Sequence, residues 1–189
     1  MSSIGSLSRI QDLIRSTMDN APPLLGALAS IEHPDRARVR MVVIRGFDPA
    51  DMTVAVSTDL RSRKVSQLQQ HPSSELCIWW PEPRISLRLL VRWFILQSDT
   101  ESPSAVAALD EFWQRHSPAS QAIFFMPRPG ERYKRARRQR LERKRPETFA
   151  ILHGVIQEID ALQIGRSRHV RWNYTRSAAG SWIKFRVNP

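Results

Sequence analysis

Cysteine occurs once in the 189 residues, at Cys77, so no internal disulfide can staple the chain. That usage fits a reducing compartment, and a cytoplasmic protein is expected. Glycine is sparse too: seven residues, scattered from Gly5 to Gly180 with no two close together. A phosphate-cradling P-loop or Rossmann loop needs clustered glycines, and there is no G-x-S-x-G elbow, so those folds and their chemistries are excluded. The five histidines show no paired spacing suited to zinc, and no metal is expected. Long apolar runs are missing: nothing approaches the roughly 20 residues of a membrane span. The opening MSSIGSLSRIQDLIRS lacks the basic-then-apolar pattern of a signal peptide. What remains, at 41% hydrophobic and 25% charged residues, is the composition of one medium globular domain spanning 1–189.

The net charge of +11 first points to nucleic acid, but its distribution does not. Between Arg128 and Arg145 there are ten Lys or Arg against two Glu, a local +8 that leaves little for the rest. The segment 128–147 reads as a basic, insert-like stretch whose intermittent Tyr and Leu give a solvated helix.

Apolar spacing over Ser6–Met18 predicts an amphipathic helix, and LLGALAS after it a further helical turn or two, making 1–32 a helical segment. Arg38–Phe47 and Met52–Ser57 read as a hairpin of strands joined by DPAD. Val65–His71 is a short helix closed by Pro72. Ser74–Trp80 and Arg84–Gln97 are strands, Pro103–His116 is a helix, and SPASQAIFF is a shorter helical piece. Thr148–Ile156, Glu158–Leu162, His169–Tyr174 and Trp182–Val187 read as four closing strands. Six to eight short strands with a few helices imply an α+β domain, mainly antiparallel β, on a closed or nearly closed sheet.

One stretch is electrostatically odd. In STDLRSRKVSQL, Ser57 to Leu68, a strand ends and a helix opens with Arg63 and Lys64 in its first turn. A helix start already carries partial positive charge and ordinarily attracts acids. Two cations there make sense if an anion offsets them, with the free N–H groups and the hydroxyls of Ser62 and Thr58 adding donors. A phosphate pocket is the functional reading; a solvated basic turn is the plain one. Arg40 and Arg45 on the partner strand sit an odd number of residues apart, hence on opposite faces of a regular strand.

RMVVIRGF…VAVSTDLRSRKVSQLQQHPSSELCIWW resembles the flavin-binding signature of the pyridoxamine 5′-phosphate oxidase-like split-barrel family, over Arg40 to Trp80 with Arg40, Thr58, Ser62, Arg63, Lys64 and Pro72 in place. The closing IDALQIGRSRHVRWNY…SWIKFRVNP is similar more loosely. The resemblance implies an FMN-binding split β-barrel with flanking helices, working as a homodimer with FMN at the subunit interface. It assigns the FMN phosphate to Arg63 and Lys64 and counts Ser62 among the cofactor-binding residues. The remaining cofactor-binding residues it implies are Arg40, Met41, Val42, Val43, Ile44, Arg45, Ser57, Thr58, Ser86 and, across the dimer, Arg171.

Departures concentrate elsewhere. A flavin-contacting Gln falls at Ser86 and a flavin-contacting Trp near Leu162. The positions of a substrate-phosphate clamp read Phe112, His116 and Ser120. Candidates to meet a substrate are Arg45, His116, Ser120 and His169, and pyridoxamine phosphate itself is not the expected one. Two functions follow: an FMN-dependent oxidoreductase with an altered substrate site, or a non-catalytic binder of flavin or nucleic acid, the latter through the basic segment.

Overall fold

The computed structural model describes residues 4–20, 22–98, 102–132 and 144–189. The core of the basic run, residues 133–143, lies outside them, and with it the expected solvated helix. Helix α1 (Leu7–Met18) precedes three strands, β1 (Leu25–Glu32), β2 (Arg36–Asp48) and β3 (Thr53–Asp59). Helix α2 (Arg63–Gln70) leads to β4 (Ser73–Trp80) and β5 (Ile85–Leu96). Helices α3 (Pro103–Gln114) and α4 (Pro118–Ile123) come before β6 (Phe149–Gln163), β7 (Val170–Arg176) and β8 (Trp182–Val187).

Every strand pairing is antiparallel, in the order β3-β2-β1-β4-β5-β6-β7-β8, and a further pairing of β3 with β6 closes the first six into a barrel. The two last strands extend from β6 as a wing. This is the split-barrel architecture. β6 makes it possible by length: its first half, Phe149–Val155, pairs with β3, and its second, Glu158–Gln163, with β7.

Alternation fixes the inside. Along β5, Ile85, Leu87, Leu89, Val91 and Trp93 are buried while Arg88, Arg92 and Phe94 are exposed. Each buried Leu or Ile contributes about 1.5–3 kcal/mol of apolar transfer. α1 lies against the barrel through the fully buried Ile10 and Ile14. The segment before it is pinned by Tyr174, whose hydroxyl donates to Ile4 O at 2.9 Å, and by Lys184 Nζ donating to Gly5 O at 2.9 Å. A second, aromatic cluster joins α3 and α4 to the β3–β6 seam: Trp113, Phe124 and Phe149 pack edge to face with centroids 5.0–5.7 Å apart.

Two expectations need correction. LLGALAS is not helical; it forms β1, with Leu24, Gly26, Leu28 and Ser30 buried in strict alternation. Ala and Leu favour helix intrinsically, but eight residue pairs with β2 override that preference. Of residues 1–32, only Leu7–Met18 is described as helix. Thr148–Ile156 and Glu158–Leu162 are one strand, and the expected break is a β-bulge. Leu90 faces Glu158 and Val91 faces Ile156, leaving Gln157 as the extra residue.

Candidate functional site: the start of helix α2 and the cleft beside β2

The β3–α2 turn is built by its own charges. Asp59, 8% exposed, accepts from Arg61 N at 2.8 Å and receives the Arg61 guanidinium in a fork, Nε at 3.0 Å and an Nη at 2.6 Å. The same guanidinium reaches on to Met126 O at 3.0 Å, and Arg128 Nε donates back to Arg61 O at 3.1 Å, so the chain after α4 is stitched to this turn. Ser62 takes the N-cap position with extended backbone, yet its hydroxyl caps nothing. It accepts instead from Lys64 Nζ at 2.9 Å. The α2 start thus keeps its dipole without an acid in its first turn.

Behind it, Arg40 rises from β2. Its guanidinium donates to Ser30 Oγ at 2.5 Å, Gln67 Oε1 at 2.8 Å and Leu28 O at 3.3 Å, and Ser30 Oγ donates to Gln67 Oε1 at 2.6 Å. All three acceptors are neutral. Burial holds the Lys64 amine below its usual range, the neighbouring Arg40 lowers it further, and Asp59 only partly opposes them. Arg40 is depressed by burial as well, then by Arg38. Arg63 points outward with its side chain 71% exposed, 3.9 Å from a Glu32 carboxylate that already holds Arg38 at 2.6 Å. Among the described residues, Ser57 Oγ is buried with no hydrogen-bond partner, and Thr58, 3% exposed, makes only a 3.5 Å contact to Asp59 O.

On β2, Val42 and Ile44 send their side chains into the core at 6% and 3% exposure, and Ile44 N donates to Leu24 O at 2.9 Å, while Met41 projects outward at 61%. Met41 heads a row of directly opposed residues on the outer face of seven strands: Ala27, Cys77, Arg88, Asp160, Asn173 and Phe185. The adjoining row carries Trp79, Ser86, Leu162 and Arg171. Ser86 and Arg171 therefore share a face, on the wing side of the barrel. Asp160 receives Arg171 through Nε at 2.9 Å and an Nη at 2.6 Å, and Arg88 as well. Burial would raise the Asp160 carboxyl, but the hydrogen bonds from Arg171 and Arg88 outweigh it and hold the carboxyl below its ordinary range.

Arg45 lies elsewhere. Ile44 faces Val56 and Gly46 faces Ala55, so Arg45 is the extra residue of a bulge, re-aimed toward α3. It lines a cleft of about 170 Å³ with Met18, Pro23, Leu24, Ile44, Phe112, Arg115 and His116. His116 is 8% exposed, and its Nδ1 sits 2.7 Å from Phe112 O, which makes Nδ1 the donor. Burial pushes the imidazole down, the Phe112 carbonyl partly restores it, and Arg45 lowers it again, so the ring is neutral near pH 7. Ser120 does not join them; on α4 it is bonded to Ser117. His169 stands exposed before β7.

Residues 7–97 match the family model described as pyridoxamine 5′-phosphate oxidase, FMN-binding domain. That stretch belongs to this family. FMN is the cofactor of the family domain, and the α2 start fits it: two desolvated cations without a carboxylate partner, an uncapped helix start and the orphaned Ser57 hydroxyl are suited to a phosphate ester and a polyol chain. The whole chain is similar to a crystal structure of a pyridoxamine 5′-phosphate oxidase-related, FMN-binding protein from Nostoc punctiforme, with TM-score 0.84 and 24% identity over 100% of each chain. It is similar to PhzG from Burkholderia lata in complex with tetrahydrophenazine-1-carboxylic acid, with TM-score 0.76 and 19% identity over 98% of this chain and 95% of that one. A curated relative, pyridoxine/pyridoxamine 5′-phosphate oxidase 2 of Arabidopsis thaliana, is 24% identical over 86% of this chain and 85% of its own.

Residue patterns alone missed several members of the site. Gln67 and Ser30, which hold Arg40, are ordinary polar residues until β1 is known to be a strand beside α2. Asp59 and Arg61, two apart at a strand end, carried a usable signal: an acid followed by a cation in a turn closes an Asx-type loop.

Proposed function

We propose that the protein is an FMN-dependent oxidoreductase, acting as a homodimer on a substrate other than pyridoxamine phosphate. The observation that carries this reading is the pair Lys64 and Arg40. Both are partly desolvated, both face neutral acceptors, and the nearest acid, Asp59, is committed to Arg61. A bound phosphate relieves that uncompensated charge, with Arg63 closing over it from the exposed side. Ser57, Thr58 and the Val42–Ile44 backbone border the rest of the cofactor. When bound, FMN supplies a ring that accepts hydride or electrons. The chain's own groups orient it and offer Arg45 to a substrate, with neutral His116 able to accept a proton at Nε2.

The dimer reading rests on the outer face. Leu25, Ile31, Val39, Met41 and Trp79 are 40–68% exposed on strands β1, β2 and β4. A second copy covers such a face, and Arg171 and Ser86, in the same outer ladder, meet its flavin. Pyridoxamine phosphate is disfavoured because the cleft beside Arg45 presents Phe112 and a neutral His116 where a phosphate clamp needs donors.

The test is a visible spectrum of the purified protein with and without added FMN, beside the Arg63→Ala/Lys64→Ala double variant, followed by anaerobic reduction and exposure to oxygen. A two-banded flavin spectrum lost in the double variant, with bleaching and recovery of the colour, is the expected result. A flavin that binds but cannot be reduced and reoxidised leaves a carrier rather than an enzyme; a protein indifferent to FMN sinks both.

A further inference from the structure

Two cations line the cleft beside β2, Arg45 and Arg115, and of the two only Arg45 lacks a partner among the described residues. Arg45 has no hydrogen-bond acceptor or ion-pair partner among the described residues. Arg115, on the same rim, is already met: its guanidinium pairs with Glu111 and lies 5.4 Å from the Phe112 ring centroid. His116 adds no charge. Its Nδ1–H is spent on Phe112 O, and its ring is boxed by Trp113, Phe124 and Phe149 at centroid distances of 5.6–6.4 Å. The walls are apolar: Met18, Pro23, Leu24, Ile44 and Phe112. No Ser or Thr hydroxyl lines it, and no described helix begins at it.

We infer that this cleft is the substrate's anchoring subsite and that it takes a small aromatic or cyclic monocarboxylate, its carboxylate forked onto Arg45 and its ring against Ile44 and Phe112. Charge and size both set this class. One unpaired guanidinium matches one carboxylate in a bidentate fork. A phosphate ester brings about two charges and three acceptor oxygens, of which a single fork satisfies only part, and the rest would lie against hydrocarbon. A volume of about 170 Å³ exceeds only slightly the roughly 150 Å³ cavity that holds a benzene ring. The neutral His116, with Nε2 free of a proton, is a hydrogen-bond acceptor beside that ring. The inference rests on the preceding reading of this chain as an FMN oxidoreductase whose substrate meets Arg45.

Calorimetric titration of the FMN-saturated protein at roughly pH 8, where a phosphate monoester is fully charged, tests it with three probes: benzoate, benzamide and phenyl phosphate. Benzoate is expected to bind at least about tenfold tighter than its uncharged analogue benzamide, and phenyl phosphate no tighter than benzoate. Arg45→Gln should erase the benzoate margin and Arg45→Lys should keep most of it. Phenyl phosphate binding tenfold tighter than benzoate, equal binding of benzoate and benzamide, or an Arg45→Gln variant that still prefers benzoate overturns the inference. If Arg45→Gln does not fold, the three-probe contrast on the unaltered protein decides alone. Quenching of flavin fluorescence, followed separately, reports FMN binding, so loss of the flavin reading is seen apart from loss of this one.

Discussion

Lys64 stands in a place that works against its charge. Burial and Arg40 both lower its amine, so folding pays a cost for the charged form at neutral pH. That cost fades as pH rises through the lowered value toward the ordinary 10.5. An anion at the α2 start reverses the effect, restoring the amine's affinity for its proton. FMN affinity should therefore fall on the alkaline side before an unperturbed lysine would titrate, and Lys64→Arg should flatten that fall; fluorescence titrations across pH measure both. Removing Arg63 and Lys64 together should weaken FMN by about a hundredfold or more, since charge-assisted bonds are each worth roughly 1.5–3 kcal/mol. Asp160 works with the opposite sign. Its depressed carboxyl lends stability that is present above about pH 4 and is lost as pH falls below it. Asp160→Asn should flatten the acid limb of unfolding and, by leaving Arg88 and Arg171 without their shared acid, cost about 1–2 kcal/mol at neutral pH.

At the scale of elements, α2 is held less by its own sequence than by Gln67, which lies buried at 6% exposure between Ser30 of β1 and Arg40 of β2. Gln67→Ala should cost about 1–3 kcal/mol, because it strips acceptors from a half-buried guanidinium, and should weaken FMN several-fold although every cation remains. Urea denaturation and flavin titration separate the two losses. β6 carries a comparable constraint at Gly154, where a Cβ would meet Val91 Cγ1 at 2.5 Å and the Trp93 ring at 2.8 Å. Gly154→Ala should lower stability by about 1–3 kcal/mol, read as a drop in Tm. Much of this level was legible beforehand. β4, β5 and α2 follow from alternation and from Pro72, and the Arg63–Lys64 anomaly pointed to the turn proposed here to hold a phosphate. β1 was not, since its alanines and leucines favour a helix and only its neighbours make it a strand. Arg45 and His116 were grouped by the family resemblance rather than by spacing, because a bulge in β2 and the packing of α3, neither visible in spacing, bring them to one cleft.

For the molecule as a whole, the outer ladder from Met41 to Phe185 is the surface on which the proposed assembly turns. Its β1–β2–β4 half is apolar, and its β5–β6 part is charged through Arg88 and Asp160. If a second copy covers it, Val39→Asp with Met41→Asp should yield a monomer by analytical ultracentrifugation, and flavin affinity should fall with the partner's departure although Arg63 and Lys64 are untouched. Among the described residues no helix is long and apolar enough to cross a membrane.

The closure of β3 against β6 also orders events in time. Asp59 pairs with Phe149 and Thr53 with Val155, so a chain made from its N-terminus holds the β3 edge open until nearly the whole barrel has been synthesised. During that interval the unpaired backbone of β3 is a template for another chain, and such long-range pairing is slow to form. The β3–α2 turn, the proposed cofactor site, can take its final shape only after Leu60 N finds Thr148 O at the far end of that wait. Flavin capture is thus a reporter of completed synthesis: chains released before β6 should neither colour with FMN nor stay in solution, and their sedimentation after translation arrest would show it.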